Sequence, residues 1–338
     1  MVRNNDLFSL FGATNAKKIF FLAKIVILVA MLGYLYVTLQ NKKQGLTDIL
    51  NLLRQVWSVN NGFEIGLVVL LTPLNWAFES LKWQTLAQKI APVSFFNAFR
   101  GVLAGLTLGF FLPNNVGDAA GRLWSLERAH RSAGVGAALL SNGLQFYVSL
   151  LFGTLAWGHL LYQQPPLRQF YNLVLLGLLV ATLFFGAWLL LKRQVAEQYL
   201  EGKSWFRWLV PYLRVIGTYH ASELGRALGA ATARYAVFTT QFFILLHIFG
   251  ISLPLLATLT GIFLVFFAKT LIPALNFLGD LGIREAASLY FFSFYAVIPA
   301  RLVATTLSLW LVNILIPVLI GMVWFMKQRW YDNKQNVS

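Results

Sequence analysis

Apolar residues run along this chain in long blocks, without the strict alternation that marks the strands of a membrane barrel. Blocks at about Ile19–Leu39, Phe63–Leu81, Ala133–Leu161, Phe170–Leu191, Tyr235–Gly250, Leu255–Phe277 and Leu302–Met326 are each read as a helix crossing a bilayer. About 20 apolar residues suffice for such a crossing. Two further pieces, Gly101–Pro113 and Ala286–Pro299, are too short and are expected to be re-entrant or buried, although a cytoplasmic C-terminus calls for the second to complete a crossing. The pattern predicts an all-α polytopic integral membrane protein with about eight helical crossings and two broken or re-entrant segments.

Composition strengthens this reading. Hydrophobic residues make up 58% of the chain and charged residues 12%, about half the share of an ordinary soluble domain. The absence of cysteine excludes disulfides, thiolate metal sites and cysteine nucleophiles. Basic residues outnumber acidic ones 27 to 12. In a membrane protein such an excess reflects orientation, and no nucleic-acid signature accompanies it. Lys and Arg concentrate before the first apolar block, between Lys192 and Arg226, and after Met326. The expectation is a multi-pass protein of the cytoplasmic (inner) membrane with both termini on the cytoplasmic side. Residues 1–18 and 327–338 are then cytoplasmic ends around a single membrane domain, 19–326. The first block runs into YVTLQNKK without a small-residue cleavage site, so it is read as a retained helix. LTDILNLLRQVWS places Ile49, Leu50, Leu53, Val56 and Trp57 on one face, and SWFRWLVPYLR mixes aromatics with Arg207 and Arg214. Both suit segments lying at the membrane surface.

Candidate chemistry lies where the apolar blocks are interrupted. LPNNVGDAAGRLWSL (112–126) and LIPALNFLGDLGIREAASL (271–289) both carry Pro, then Gly-Asp, then three residues, then Arg. Asp118 and Asp280 are separated by the same spacing as Arg122 and Arg284, which marks an internal repeat with elements at about 101–126 and 261–289. In the first, Gly101, Gly105 and Gly109 recur every four residues, a spacing that lets helix backbones approach closely in lipid. Pro113 removes a backbone donor, and Asn114, Asn115 and Gly117 suit a turn. Asp118 is placed to cap the next helix, with Arg122 one turn on. The second element adds Lys269, Asn276, Asp280, Arg284 and Glu285. Ionisable groups inside a span cost about 2.5–3.5 kcal/mol each on insertion scales, so they are expected to pair or face water. Matched broken segments in two halves of a chain point to a binding site at the repeat interface, and helix N-termini beside arginines favour a phosphate. The expected substrate-binding residues are therefore Asn114, Asn115, Asp118, Arg122, Lys269, Asn276, Asp280, Arg284 and Glu285. Arg100, Arg234 and Arg301 are read as interfacial anchors, and Asn142 and Gln145 as interhelical hydrogen-bonding groups. The four histidines have no metal-ligand spacing, and neither a metal nor a cofactor is expected.

NWAFESLKW (75–83), LPNNVGDAAGRLWSL and LNFLGDLGIREAASLYFF, in this order, resemble the membrane region of lysylphosphatidylglycerol synthases and their stand-alone, flippase-like relatives. The resemblance spans roughly residues 15–326. The family commonly carries Gly-Glu followed by Arg at the first site, matched here by Gly117, Asp118 and Arg122, with Asp118 one methylene shorter. At the second it carries Gly-Val-Arg, matched by Gly282, Ile283 and Arg284, followed here by Glu285. The family's soluble aminoacyl-transfer domain has no counterpart in the sequence, so the resemblance implies lipid translocation or binding and not lysyl transfer.

The expected function is a non-enzymatic translocase, moving or binding an anionic phospholipid or lipid-linked phosphate. The Gly-x-x-x-x-Gly-Lys-Ser/Thr phosphate loop of ATP-driven machines is absent. Two alternatives stand beside it. One is an intramembrane enzyme of lipid or polyprenyl-phosphate metabolism, which lacks an Asp-Asp-x-x-Asp metal motif here. The other is an accessory membrane subunit. Expected partners are a membrane lipid with an anionic headgroup and either other membrane proteins or a second copy.

Overall fold

The computed structural model describes residues 46–57, 61–111, 116–127, 130–201, 210–271 and 282–323, with a few positions between 33 and 40. Most of the first apolar block, both terminal segments, residues 202–209 of the aromatic segment, Asn114, Asn115, Asn276 and Asp280 lie outside the described residues. In chain order the helices are α1 (Leu46–Val56), α2 (Gly62–Ala87), α3 (Phe95–Phe111), α4 (Val116–Trp124), α5 (Arg131–Gln163) and α6 (Phe170–Leu191). They continue as α7 (Arg193–Glu201), α8 (Val210–Thr218), α9 (Ala221–Ile248), α10 (Leu255–Leu271), α11 (Ile283–Phe292) and α12 (Pro299–Val323). Four of them, α2, α5, α6 and α12, are long and apolar enough to cross a membrane, and no strand occurs among the described residues. This is an all-α polytopic membrane protein.

Several boundaries differ from those drawn by hydropathy. The block Phe63–Leu81 extends to Ala87, carrying Glu79 and Lys82 inside the helix. The block Tyr235–Gly250 begins at Ala221, so that Arg234 lies well within α9. Ala286–Pro299 is not one segment. Helix α11 ends at Phe292, a 3₁₀ turn follows, and Ala296 takes a left-handed φ of 55° before Pro299 opens α12. A hydropathy count stops at charges, whereas a helix continues through them wherever tertiary partners satisfy them.

Helix α2 packs along α9, α10 along α5, and α12 against α1, α9 and α11. Pro73 removes one backbone donor within α2. Nearby, Gln241 of α9 donates to the Val68 carbonyl at 2.8 Å and to the Thr72 hydroxyl at 3.1 Å, fastening the two helices by polar contacts. Helix α1 meets α12 through Ile49 and Val56, while Leu50 and Trp57 of the same amphipathic face stay exposed. Helix α6 is apolar all round and buries only Asn172 and Leu179, as expected of a helix whose solvent is lipid. Midway along α12, Leu311–Leu315 forms a π turn, a local widening often found beside functional sites.

Between α2 and α5 the chain makes a short hairpin of α3 and α4. It is closed by glycines on both arms. A Cβ on Gly121 would overlap the Gly105 backbone nitrogen, and one on Gly117 the Gly109 backbone nitrogen. The two backbones are thus in van der Waals contact with no space for side chains. Helices α10 and α11 also pack together, with Phe292 lying against Gly261. Helices α3 and α4 thus fold back on each other, and α10 and α11 are in contact.

Substituting Gly121 with Val is expected to force the α3–α4 hairpin apart, at a cost of about 1–3 kcal/mol or more. Gly177, whose Cβ would meet nothing within 4 Å, is expected to tolerate Ala. Thermal unfolding in detergent, followed by tryptophan fluorescence, should show a lowered midpoint for Gly121→Val alone.

Candidate functional site

The buried charges of α2, α4 and α9 converge on Glu79. Its carboxylate is 2% exposed and meets three cations from three helices. Arg122 Nη2 donates to Oε1 at 2.6 Å. Lys82 Nζ lies 2.8 Å and Arg234 Nη1 3.0 Å from Oε2. Isolated, such a carboxylate would be expelled from an apolar interior; surrounded by cations, it becomes the point to which they are held.

Each cation has further partners that fix its direction. Arg122 donates to Asp118 Oδ1 through Nε at 3.1 Å and Nη2 at 3.0 Å, and to the Ser141 hydroxyl through Nη1 at 2.7 Å. Asp118 lies in the first turn of α4, and its Oδ2 also accepts from Asn142 at 3.3 Å. Arg234 Nε donates to Asn75 Oδ1 at 3.1 Å, and its guanidinium lies 5.1 Å from the Trp76 ring and 5.3 Å from the Phe238 ring. Gln145 Oε1 accepts from Lys82 at 3.3 Å and Arg234 at 3.4 Å. The Arg122 guanidinium lies 5.9 Å from the Trp83 ring, and these aromatic faces add attraction where water is scarce.

A cavity of about 180 Å³ opens on this network. Lys82, Arg122, Arg234 and Lys269 line it, facing Glu79 and Asp118, and Asn142 and Gln145 add amides. Helix α3 contributes Gly105, Leu106, Gly109 and Phe110 to the lining, so the close-packed hairpin also shapes the cavity. Ile314, in the π turn of α12, also lines it. With Lys269 set aside, cations still outnumber carboxylates. Such a cavity suits an anion whose oxygens take arginine N–H groups in pairs.

Of the residues singled out from sequence, the structure brings Asp118, Arg122 and Lys269 to this cavity. Arg284 and Glu285 do not line it. Arg284 is 1% exposed, and its three guanidinium nitrogens have no hydrogen-bond partner among the described residues. Glu285 turns back to accept the Gly282 N–H at 2.6 Å, capping α11. Sequence reasoning did not place Glu79, Lys82, Arg234, Asn142 or Gln145 in the site. A signal existed for the first two, since Glu79 and Lys82 lie three apart inside an apolar run, the spacing of an intrahelical pair. Arg234 gave no comparable signal, because its partners lie on α2 and α5. It is held in the interior and is no interfacial anchor.

Replacing Glu79 with Ala would leave Lys82, Arg122 and Arg234 facing each other without their shared counter-charge. The expected loss is about 3–5 kcal/mol, the usual consequence of removing one member of a buried ion network. Replacing Lys82 with Met is expected to cost less, because Glu79 keeps two arginines. Thermal unfolding of the two variants should rank them in that order.

The family profile described as the lysylphosphatidylglycerol synthase TM region matches residues 21–321, nearly the whole chain. No curated protein and no solved structure matches it. The matched span includes α1 to α11, all of the cavity-lining residues and most of α12. This chain therefore belongs to the lysylphosphatidylglycerol synthase TM-region family of multi-pass membrane proteins.

Proposed function

We propose that the protein is a lipid translocase of the cytoplasmic membrane, with both termini on the cytoplasmic side. Its cavity takes the headgroup of an anionic phospholipid or a lipid-linked phosphate. The observation that carries this reading is the cation-rich cavity around Glu79, enclosed by helices of the membrane domain. A phosphate entering it meets Arg122, Arg234 and Lys269, while Glu79 and Asp118 hold the arginines in place when it leaves. Family membership supports a role in lipid metabolism or lipid movement. The α3–α4 hairpin forms one wall and shares little side-chain bulk with its own partner helix, which suits it to move as a unit between two positions. The positioning of Lys and Arg along the loops supports the orientation.

The test is headgroup flip in proteoliposomes. A fluorescent anionic phospholipid is placed in both leaflets and bleached by an impermeant reductant. Wild type is expected to expose the inner-leaflet pool, and Arg234→Met/Lys269→Met to do so about tenfold more slowly or less, the size expected from lost charge-assisted hydrogen bonds. Equal rates in the two proteins, or no exposure above protein-free vesicles, would overturn the reading.

A further inference from the structure

A second cavity, of about 80 Å³, adjoins the first and shares Gln145, Arg234 and Lys269 with it. Phe238 and Phe266 give it apolar wall. Its Ser149 and Thr270 hydroxyls are already engaged, bonded to each other at 2.8 Å and to the Phe266 carbonyl at 3.3 and 2.8 Å. The donors left for an anion where the cavities meet are those of the shared residues. The two arginines of the first cavity differ in this respect. Arg122 gives Nε and Nη2 to Asp118, Nη2 also to Glu79, and Nη1 to Ser141, so four of the five N–H groups of its guanidinium are engaged. Arg234 gives Nε to Asn75, and its Nη1 is held by Glu79 at 3.0 Å and Gln145 at 3.4 Å. Its Nη2 has no partner among the described residues. The Trp76 and Phe238 rings steady this guanidinium without taking its N–H groups.

Gln145 supplies the complement. Lys82 and Arg234 can only donate, so the amide turns its oxygen to them, at 3.3 and 3.4 Å. Its Nε2 is then left with no partner among the described residues, on the same amide group and beside the Arg234 guanidinium. Both free nitrogens keep accessible surface, unlike the occluded Tyr235 hydroxyl next along α9, and both belong to residues that line the two cavities. Asn142, the other amide of the first cavity, has its nitrogen turned to Asp118 at 3.3 Å instead. We infer that the anion is seated at the junction of the two cavities, where Arg234 Nη2 and Gln145 Nε2 donate together to phosphoryl oxygens. Gln145 is then a binding residue in its own right, while Arg122 and Lys269 add charge around the seat. A neutral amide grips oxygen without another buried cation, whose desolvation is costlier than that of an amide. The inference rests on the translocase reading for the phosphate, and goes beyond it in naming the atoms that hold it.

The experiment uses purified full-length protein in detergent, isotope-labelled at the glutamine side-chain amide nitrogens, with inorganic phosphate and octyl phosphate as probes. The resonance missing from Gln145→Glu identifies Gln145. Both probes are expected to shift that resonance in wild type, and neither to shift it in Arg234→Met. Affinity measured by calorimetry should fall at least about tenfold in Gln145→Met, the range of one hydrogen bond to a charged group, and further in Gln145→Glu. Thermal unfolding should rank these two variants the other way, because Glu keeps an acceptor for Lys82 and Arg234 that Met lacks. A Gln145 resonance that stays in place while either probe binds, or Gln145→Glu binding as tightly as wild type, would overturn the seat and leave the headgroup cavity standing. Tighter binding of octyl phosphate than of inorganic phosphate would support a lipid headgroup at the seat. Equal affinities would keep the seat and overturn the lipid reading, and binding of neither probe would overturn both.

Discussion

A carboxylate buried in a membrane domain is tolerated only if its charge is answered, and Glu79 is answered three times. Much of the described structure around the site follows from that requirement. Arg122 must come from α4, Arg234 from α9 and Lys82 from the next turn of α2 itself, so three helices are tied to one point. Coulombic attraction between such groups is strong in a low dielectric, yet desolvation opposes it by a similar amount. The network is therefore better understood as specifying which helix faces meet than as a large source of net stability. It also explains why α2 and α9 contain charges within helices that pack closely along each other.

The same requirement sets the character of the cavity. Cations gathered to answer one buried carboxylate, with Asp118 as the second, leave the chamber with more positive than negative groups. An anion that enters improves the local balance, and one that departs leaves the carboxylates holding the cations in place. One wall of the chamber is the α3–α4 hairpin, which carries Asp118 and Arg122 and whose arms touch backbone to backbone. Lipid supplies no hydrophobic force to press helices together, so close packing of small residues does that work in the membrane. Bulk at Gly105, Gly117 or Gly121 would separate the arms and displace Asp118 and Arg122 together. Packing and charge are thus coupled in one element.

The helical membrane architecture was legible in the sequence because apolar runs of bilayer length have a single physical reading. The first broken element was legible too. Glycines every four residues, a Pro and an Asp–Arg pair one turn apart all depend on neighbours in the chain, and α3, α4 and the Asp118–Arg122 contact are local structure. Helix ends were less legible wherever charges interrupt an apolar run. Lys82 and Arg234 bounded two predicted spans, yet each lies inside a longer helix.

By itself, the sequence determined that the chain is a multi-pass helical membrane protein, that a helix is interrupted between Phe111 and Val116, and that Arg122 lies one turn from Asp118, within reach of it. Those properties arise from composition and from residues within about a turn of each other. Only the tertiary structure decided that Arg122 continues to Glu79, that Arg234 and Gln145 join them from distant helices, and that Lys269 reaches the cavity while Arg284 does not line it. The reason is that a charge in an apolar run states a need for a partner without saying where that partner is. The answer comes from which helix faces pack together.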